Sequence, residues 1–396
     1  MSTYKITMQP RKHLIYLDQA ATTYPKPPEV IEAMTTFMRD MGGNPGRSSH
    51  ALALSSAREV FACRNIASEM FDTTPDRVIF TTNTTQALNM AIKGLLPACK
   101  HKKPHILCSD MEHNAVYRPL WRLQQEGKIT FDTFDTLPLS PYRTTEAILA
   151  SIRRKIRPDT SMIVCAHASN ICSAVLPIRE IGKLCHAMGI LFVVDGAQSA
   201  GCLPIRMREM HIDALCLPGH KGLLGPMGVG MLMLGEHITL DTLIEGGNGV
   251  DSLRGDMGDD APERYEAGTL PAPCIAGLRA GLQYIKQVGI DEIFHHEQTL
   301  GGYVVEALAN MPHVKVYAPN HRGGVVLFSV SGMSSEEAGG VLDAGGFCLR
   351  PGFHCSALGH TTLGTPSGGA LRGSFGYLNT KKEAEALVLA VRHLQK

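Results

Sequence analysis

Residues 162–195 read MIVCAHASNICSAVLPIREIGKLCHAMGILFVVD. Two short apolar runs, MIVCAH (162–167) and ILFVVD (190–195), flank a segment in which Ile178, Ile181, Leu184, Cys185 and Met188 recur at helical spacing, and Gly189 stops that helix. Strand, helix, strand at this spacing is a parallel βαβ unit. The alternation extends over residues 75–235. RVIFTT (77–82) leads into the helical QALNMAIKGLL (86–96), and HILCS (105–109) leads into AVYRPLWRLQQEG (115–127). The fold class expected is α/β, a mostly parallel sheet with helices on both faces.

Ligands of such sheets bind outside the carboxyl ends of the strands. That rule selects Thr82–Thr85, Ser109–His113, His167–Asn170 and Asp195–Gln198, with Lys221 to follow. They are far apart in sequence, yet one sheet edge would gather them. GPMGVGMLML, after Lys221, runs into an apolar strand and not a helix, so it is no dinucleotide fingerprint. After residue 235 the pattern changes. A glycine-rich, charged segment (246–268) precedes helices near 275–287 and 291–311, the strands VKVY and GGVVLFSV, and a closing helix at 381–394. The organisation expected is an arm (1–30), a large ligand-binding domain (31–270) and a small α+β domain (271–396).

The 396 residues are 44% hydrophobic and 19% charged, with a net charge of +1, which offers no basic field for nucleic acid or a membrane surface. The amino terminus, MSTYKITMQPRKHLIYLD, has no apolar core of a signal peptide, and no apolar run approaches a membrane span. A cytoplasmic protein is expected. Its 11 cysteines include no C-x-x-C pair, which weakens zinc and dithiol readings. Most sit in apolar runs and read as core. Cys355 differs, because RPGFHCSALG is polar and glycine-broken, a setting in which a thiol can be reached.

Asp195, alone, would be a cap or turn residue, and His113, alone, a structural histidine. Together with Lys221 they permit another reading. Pyridoxal phosphate needs an amine for its aldehyde, a carboxylate beside its ring nitrogen, a phosphate cradle and a flat group against the ring. Lys221 would supply the amine, Asp195 the carboxylate, and His113 the stacking ring. Thr84 and Thr85 open the helix at 86–96, where free N–H groups favour phosphate. Plain capping of that helix by Asn83 or Thr84 is compatible with the same role.

YLDQAATTYPKP, TTNTTQALN, MEHNA, AHASN, DGAQSAG, GHKGLLGP, RYEAGT and LRPGFHC, in this order, resemble the motifs of class V aminotransferase-like, fold-type I pyridoxal-phosphate enzymes. More narrowly the chain resembles group II cysteine desulfurases, the branch that includes selenocysteine lyases. The resemblance spans residues 14–394 and implies a homodimer that turns L-cysteine, or L-selenocysteine, into alanine. The chalcogen would pass to an acceptor protein, as in sulfur mobilisation for iron–sulfur clusters. The resemblance further implies roles. Lys221 would carry the cofactor, Asp195 face the pyridine nitrogen, Gln198 and Asn170 the ring hydroxyl, Asn170 also the substrate, and His113 the ring face as a catalytic acid–base. Thr84, Thr85 and His220 would hold phosphate, with Thr269 reaching in from the second subunit. Arg372, assisted by Arg350, would clamp the substrate carboxylate, and Cys355 would be the nucleophile.

Arg350 and His354 are expected to promote its thiolate. Two positions depart from the family pattern: Pro218 stands where a hydroxyl residue gives a phosphate contact, and Phe353 where a histidine precedes HC. Phe353 is expected to dry the thiol's pocket, and the glycine-rich stretch after Cys355 to leave its loop mobile. An aminotransferase or β-lyase that does not use Cys355 is the alternative, and replacing Cys355 separates the two.

Overall fold

Strand residues of the central sheet divide between two cores with a period of two, as pleating requires. Phe80, Leu107, Ile163, Cys165, Phe192, Val194, Leu215 and Leu217 pack into one core. Their neighbours Ile79, Ile106, Cys108, Met162, Val164, Val193, Ala214 and Cys216 pack into the other. A sheet buried on both sides needs apolar residues at every strand position, which is why MIVCA and LFVV read as unbroken runs. Each such side chain contributes about 1.5–3 kcal/mol by leaving water.

The structure is a computed structural model that describes residues 14–46, 49–140, 143–250, 252–321 and 323–394. Residues 1–13, which carry most of the stretch read above for a leader, lie outside the described residues. In chain order the strands are β1 (Ile15–Tyr16), β2 (Val78–Thr81), β3 (His105–Ser109), β4 (Thr130–Phe134), β5 (Thr160–Ala166) and β6 (Leu191–Asp195). They continue with β7 (Ala214–Pro218), β8 (Gly230–Leu234), β9 (Val314–Tyr317), β10 (Val325–Val330), β11 (Phe347–Cys348) and β12 (Leu371–Ser374). The central sheet has the order β2-β8-β7-β6-β5-β3-β4. Only β8 runs against the rest. The segment between β7 and β8 holds no helix, and a parallel return would need a crossover.

The helices are α1 (Pro28–Thr36), α2 (Ala51–Phe71), α3 (Thr84–Gly94), α4 (Asn114–Gln125), α5 (Thr145–Lys155) and α6 (Ile178–Met188). They continue with α7 (Ala272–Val288), α8 (Ile290–Ala309), α9 (Ser335–Ala344), α10 (Ala357–Leu363) and α11 (Lys381–Arg392). Helices α3 and α4 cover one face of the sheet, through Leu88, Val116 and Leu120. Helices α2, α5, α6 and α7 cover the other, through Cys63, Ile148, Ile181 and Leu282. A third core joins Val304, Phe328, Leu342, Leu371 and Leu387 around the antiparallel sheet β12-β10-β9. The arm serves both bodies. Leu17 enters the third core, β1 pairs with β11, and Thr22 and Thr23 donate their hydroxyls to the carbonyls of His220 and Lys221 at 3.1 and 2.8 Å.

Candidate active site

The five sequence groups do meet. The carboxyl ends of β2, β3, β5, β6 and β7 share one sheet edge, and one cavity there is lined by Asn83, Thr84, Thr85, His113, Asn170, Asp195, Gln198, Pro218, His220 and Lys221. Lys221 sits in a turn that only glycine permits. A Cβ on Gly219 would lie 2.7 Å from the Val229 carbonyl oxygen, and one on Gly222 would lie 2.3 Å from that of Ala200. Burial, with the Arg372 and Arg350 charges, pulls the Lys221 amine down to about 8 against the opposing pull of Asp195. An amine so placed is partly neutral near neutral pH, as a nucleophile or base must be. Asp195 is buried, its Oδ1 accepts the Ala197 N–H at 2.9 Å, and burial raises its carboxyl while Lys221 lowers it.

His113 caps α4, its Nδ1 accepting the Ala115 N–H at 3.0 Å. The proton of the neutral ring is therefore on Nε2. Burial and the Lys221, Arg350 and Arg372 charges pull this imidazole down to about 4, so a flat, neutral ring faces the cavity. At the α3 end the side chain of Asn83 accepts the Gln86 N–H at 2.9 Å. This cap leaves the first-turn N–H groups of the helix aimed at the cavity. Two buried polar atoms there, Thr84 Oγ1 and His220 Nδ1, have no hydrogen-bond partner among the described residues. Unmet donors beside a helix amino terminus fit a phosphate. The cavity thus has an amine, a carboxylate, a ring wall and an anion cradle, the donor set pyridoxal phosphate requires. Pro218 lines it without offering a hydrogen.

Gln198 lines the cavity while one of its amide hydrogens goes to the Ala20 carbonyl at 3.0 Å. Asn170 donates to the His354 carbonyl at 2.8 Å. Arg372, 1% exposed, donates from Nη1 to the Asn170 carbonyl at 3.0 Å and from Nη2 to Asp18 Oδ1 at 2.5 Å, and its Nε has no partner among the described residues. A β-bridge pairs Arg350 with Arg372, and the Arg350 charge acts on the Arg372 guanidinium. Thr269 is not brought to this cavity. It is exposed and lines a separate cleft with Thr82 and Gln86. Its loop is pinned by buried Glu266, which accepts from Phe80 N and Arg64 Nη2, each at 2.6 Å.

Cys355 is the one exposed cysteine of the 11. Its Sγ lies 4.0 Å from Arg350 Nη2, and its carbonyl accepts the Asn114 N–H at 2.7 Å, one residue beyond His113. Three expectations about this loop need correction. Glycine richness does not leave it loose: α10 begins two residues on, and the Ser356 hydroxyl donates to the Glu112 carbonyl at 3.2 Å. Phe353 does not dry the thiol, because consecutive positive φ values at His354 (52°) and Cys355 (55°) turn the chain and leave Phe353 47% exposed. His354 lends the thiol no charge. It is 3% exposed, and burial pulls it down to about 3.

Sequence reasoning also missed Asp18, Glu112 and Lys26. Asp18 and Glu112 stood inside the quoted motifs, Glu112 next to His113. Lys26, also in a quoted motif, donates to the His220 carbonyl at 2.7 Å. Glu112, 0% exposed, accepts from Ser109 Oγ and from Ala166 N at 3.0 Å, and burial pushes its carboxyl up to about 8.

Fold and cavity define a pyridoxal-phosphate-type α/β protein with a lysine and an aspartate at the carboxyl edge of its sheet. The chain belongs to the aminotransferase class-V family, whose model matches residues 15–387, and that family depends on pyridoxal phosphate. A probable cysteine desulfurase of Methanothermobacter thermautotrophicus is 30% identical over 94% of this chain and 92% of its own. One from Halalkalibacterium halodurans is 32% identical over 94% and 91%. Among solved structures, the apo cysteine desulfurase of Thermococcus onnurineus NA1 superposes with a TM-score of 0.87 at 27% identity, covering 96% of this chain and 94% of that one. The S-sulfonic acid form of the Escherichia coli cysteine desulfurase CsdA gives 0.84 at 26%, with the same coverage.

Proposed function

We propose that this protein is a cysteine desulfurase that converts L-cysteine to L-alanine and carries the sulfur as a persulfide on Cys355. The observation that carries this reading is the position of that thiol. The one exposed cysteine is tied through its backbone carbonyl to the residue after His113, and His113 lines the cavity that fits pyridoxal phosphate. An aminotransferase would not need a held, exposed thiol there.

When bound, the cofactor supplies an aldehyde for the substrate amine and a ring that withdraws electrons from the substrate's α-carbon. Arg372, with Arg350 beside it, binds and orients the substrate carboxylate. Lys221 Nζ takes the α-proton, a task suited to an amine held at about 8. Asp195 stabilises positive charge at the ring nitrogen, and Gln198 and Asn170 bind near the ring hydroxyl. Thr84, Thr85 and His220 hold phosphate. Cys355 Sγ, as thiolate, attacks the substrate sulfur: an S–S bond forms as the Cβ–S bond breaks, and its electron pair stays with the carbon fragment. Protonation at Cβ with return of a proton to the α-carbon gives alanine. A thiol of an acceptor protein then receives the sulfur.

The assembly proposed is a homodimer in which Thr269 completes the partner's phosphate site. Exposed Thr269, in a cleft apart from its own chain's cofactor cavity, supports it. The proposed organisation keeps an arm to residue 30, a cofactor-binding domain to 270 and a small domain from 271, with α7 the connecting helix packed on the large core. A cytoplasmic setting accords with 11 free cysteines. No helix among the described residues is long and apolar enough to cross a membrane.

The test is to supply L-cysteine and, separately, L-selenocysteine to the purified protein and to Cys355→Ala, and to measure alanine and released sulfide or selenide. Alanine from cysteine that disappears in Cys355→Ala supports the proposal. Equal turnover by both proteins refutes it, and turnover confined to selenocysteine moves the substrate to selenium.

A further inference from the structure

We propose that His360 is a positioning residue for the thiol, acting through His354 on the turn that presents Cys355. The proposal rests on the reading of Cys355 as the sulfur carrier and adds the device that holds it.

One carbonyl fixes the tautomers of both rings. His354 Nε2 lies 2.8 Å from the Arg350 carbonyl oxygen, which can only accept, so Nε2 carries the proton. Nδ1 of neutral His354 is then a lone pair. It lies 3.0 Å from His360 Nε2, which must donate to it. His360 Nδ1 is in turn the acceptor, 2.9 Å from the Thr365 hydroxyl. One proton direction runs from Thr365 through both rings to Arg350. Burial favours this neutral state, pulling His354 down to about 3 and His360 to about 4.

The same Arg350 carbonyl accepts the Arg372 N–H at 2.9 Å. His354 therefore joins the cysteine turn to the strand that carries the proposed carboxylate clamp. The turn needs such a hold. His354 and Cys355 both adopt positive φ, which side-chain-bearing residues disfavour, and only surrounding contacts keep them there. The Asn114 N–H on the Cys355 carbonyl and the Asn170 amide on the His354 carbonyl are two of these contacts. The histidine pair is a third, and it reaches the turn through the buried His354 side chain.

Without a donor at 360, His354 Nδ1 would be a buried, unmet acceptor. The turn relieves this by releasing His354, and the sulfur leaves the Arg350 guanidinium now 4.0 Å away. A unit charge at that distance in a water-like medium is worth about a fivefold factor on an anion.

The experiment follows iodoacetamide alkylation of Cys355 in the cofactor-loaded protein at neutral pH, with the modified peptide mapped by mass spectrometry. His360→Phe keeps an aromatic ring and loses the donor; His360→Gln can place an amide N–H where Nε2 stands. The expected result is a rate about fivefold lower in His360→Phe, a rate within about twofold of wild type in His360→Gln, and unchanged bound-cofactor absorbance in both. A wild-type or faster rate in His360→Phe, or equal loss in both variants, overturns the proposal. If His360→Phe does not fold, Thr365→Val decides, a slower rate supporting the relay and an unchanged rate overturning it. Alkylation needs no turnover, so a protein that makes no alanine would refute the desulfurase reading and leave this result legible.

Discussion

Arg372→Lys tests how the proposed clamp works. The guanidinium already spends Nη1 on the Asn170 carbonyl and Nη2 on Asp18, at 3.0 and 2.5 Å, and it is 1% exposed. Lysine keeps the charge but has one nitrogen where arginine has a fork, so it cannot satisfy Asp18, the Asn170 carbonyl and a substrate carboxylate together. One charge-assisted hydrogen bond lost to the substrate costs about 1.5–3 kcal/mol, or about 10- to 150-fold in kcat/KM. The assays are alanine formation from L-cysteine and, as the control, binding affinity for cysteamine, which lacks the carboxylate. The account predicts the full loss with cysteine and little difference between the two proteins with cysteamine. A loss below about threefold with cysteine, or an equal loss with cysteamine, would refute the clamp.

Asp195→Asn keeps the shape of the buried side chain and removes its charge. Alanine formation should fall roughly 100-fold while cofactor still binds, and a fall below about tenfold would count against a ring-nitrogen role. Thr84→Ala removes a hydroxyl unpartnered within the chain. Titration should show cofactor affinity weakened about tenfold, whereas unchanged affinity would move the phosphate elsewhere. Glu112 is raised from an ordinary 4.5 to about 8, so the folded state holds its proton more tightly than the unfolded chain. That contribution to stability is complete below about 4.5 and is lost as pH rises through about 8, at about 1.4 kcal/mol per unit in between. Urea midpoints at pH 5.5 and 7.5 should show Glu112→Gln with a shallower decline than wild type, and parallel curves would refute the assignment.

The elements closest to the site were the most legible in the sequence. The runs at 162–167 and 190–195 are buried on both faces, so tertiary packing and local pattern agree, and the helix expected at 178–188 occupies Ile178–Met188. The site residues drawn from strand ends were legible because a parallel sheet carries them to one edge whatever their separation in sequence. β4, with the sequence TFDTF, was not legible. It is an edge strand with polar residues partly in solvent, and its pattern is indistinguishable from a loop. Asp18 was missed because its role exists only across the fold, 354 residues from Arg372. The cysteine turn was misread for a related reason. Glycines near Cys355 suggested freedom, but the constraint comes from the Asn114 amide, the Asn170 side chain and His360, which nothing local to RPGFHC could reveal.

The most direct measurement is reduction of the cofactor-loaded protein with borohydride, followed by digestion and mass spectrometry. The account predicts a single pyridoxyl-bearing peptide containing GHKG, with the label on Lys221. A label on Lys26, a partly buried lysine whose amine is likewise pulled down to about 8 by burial, or no label at all, would contradict it.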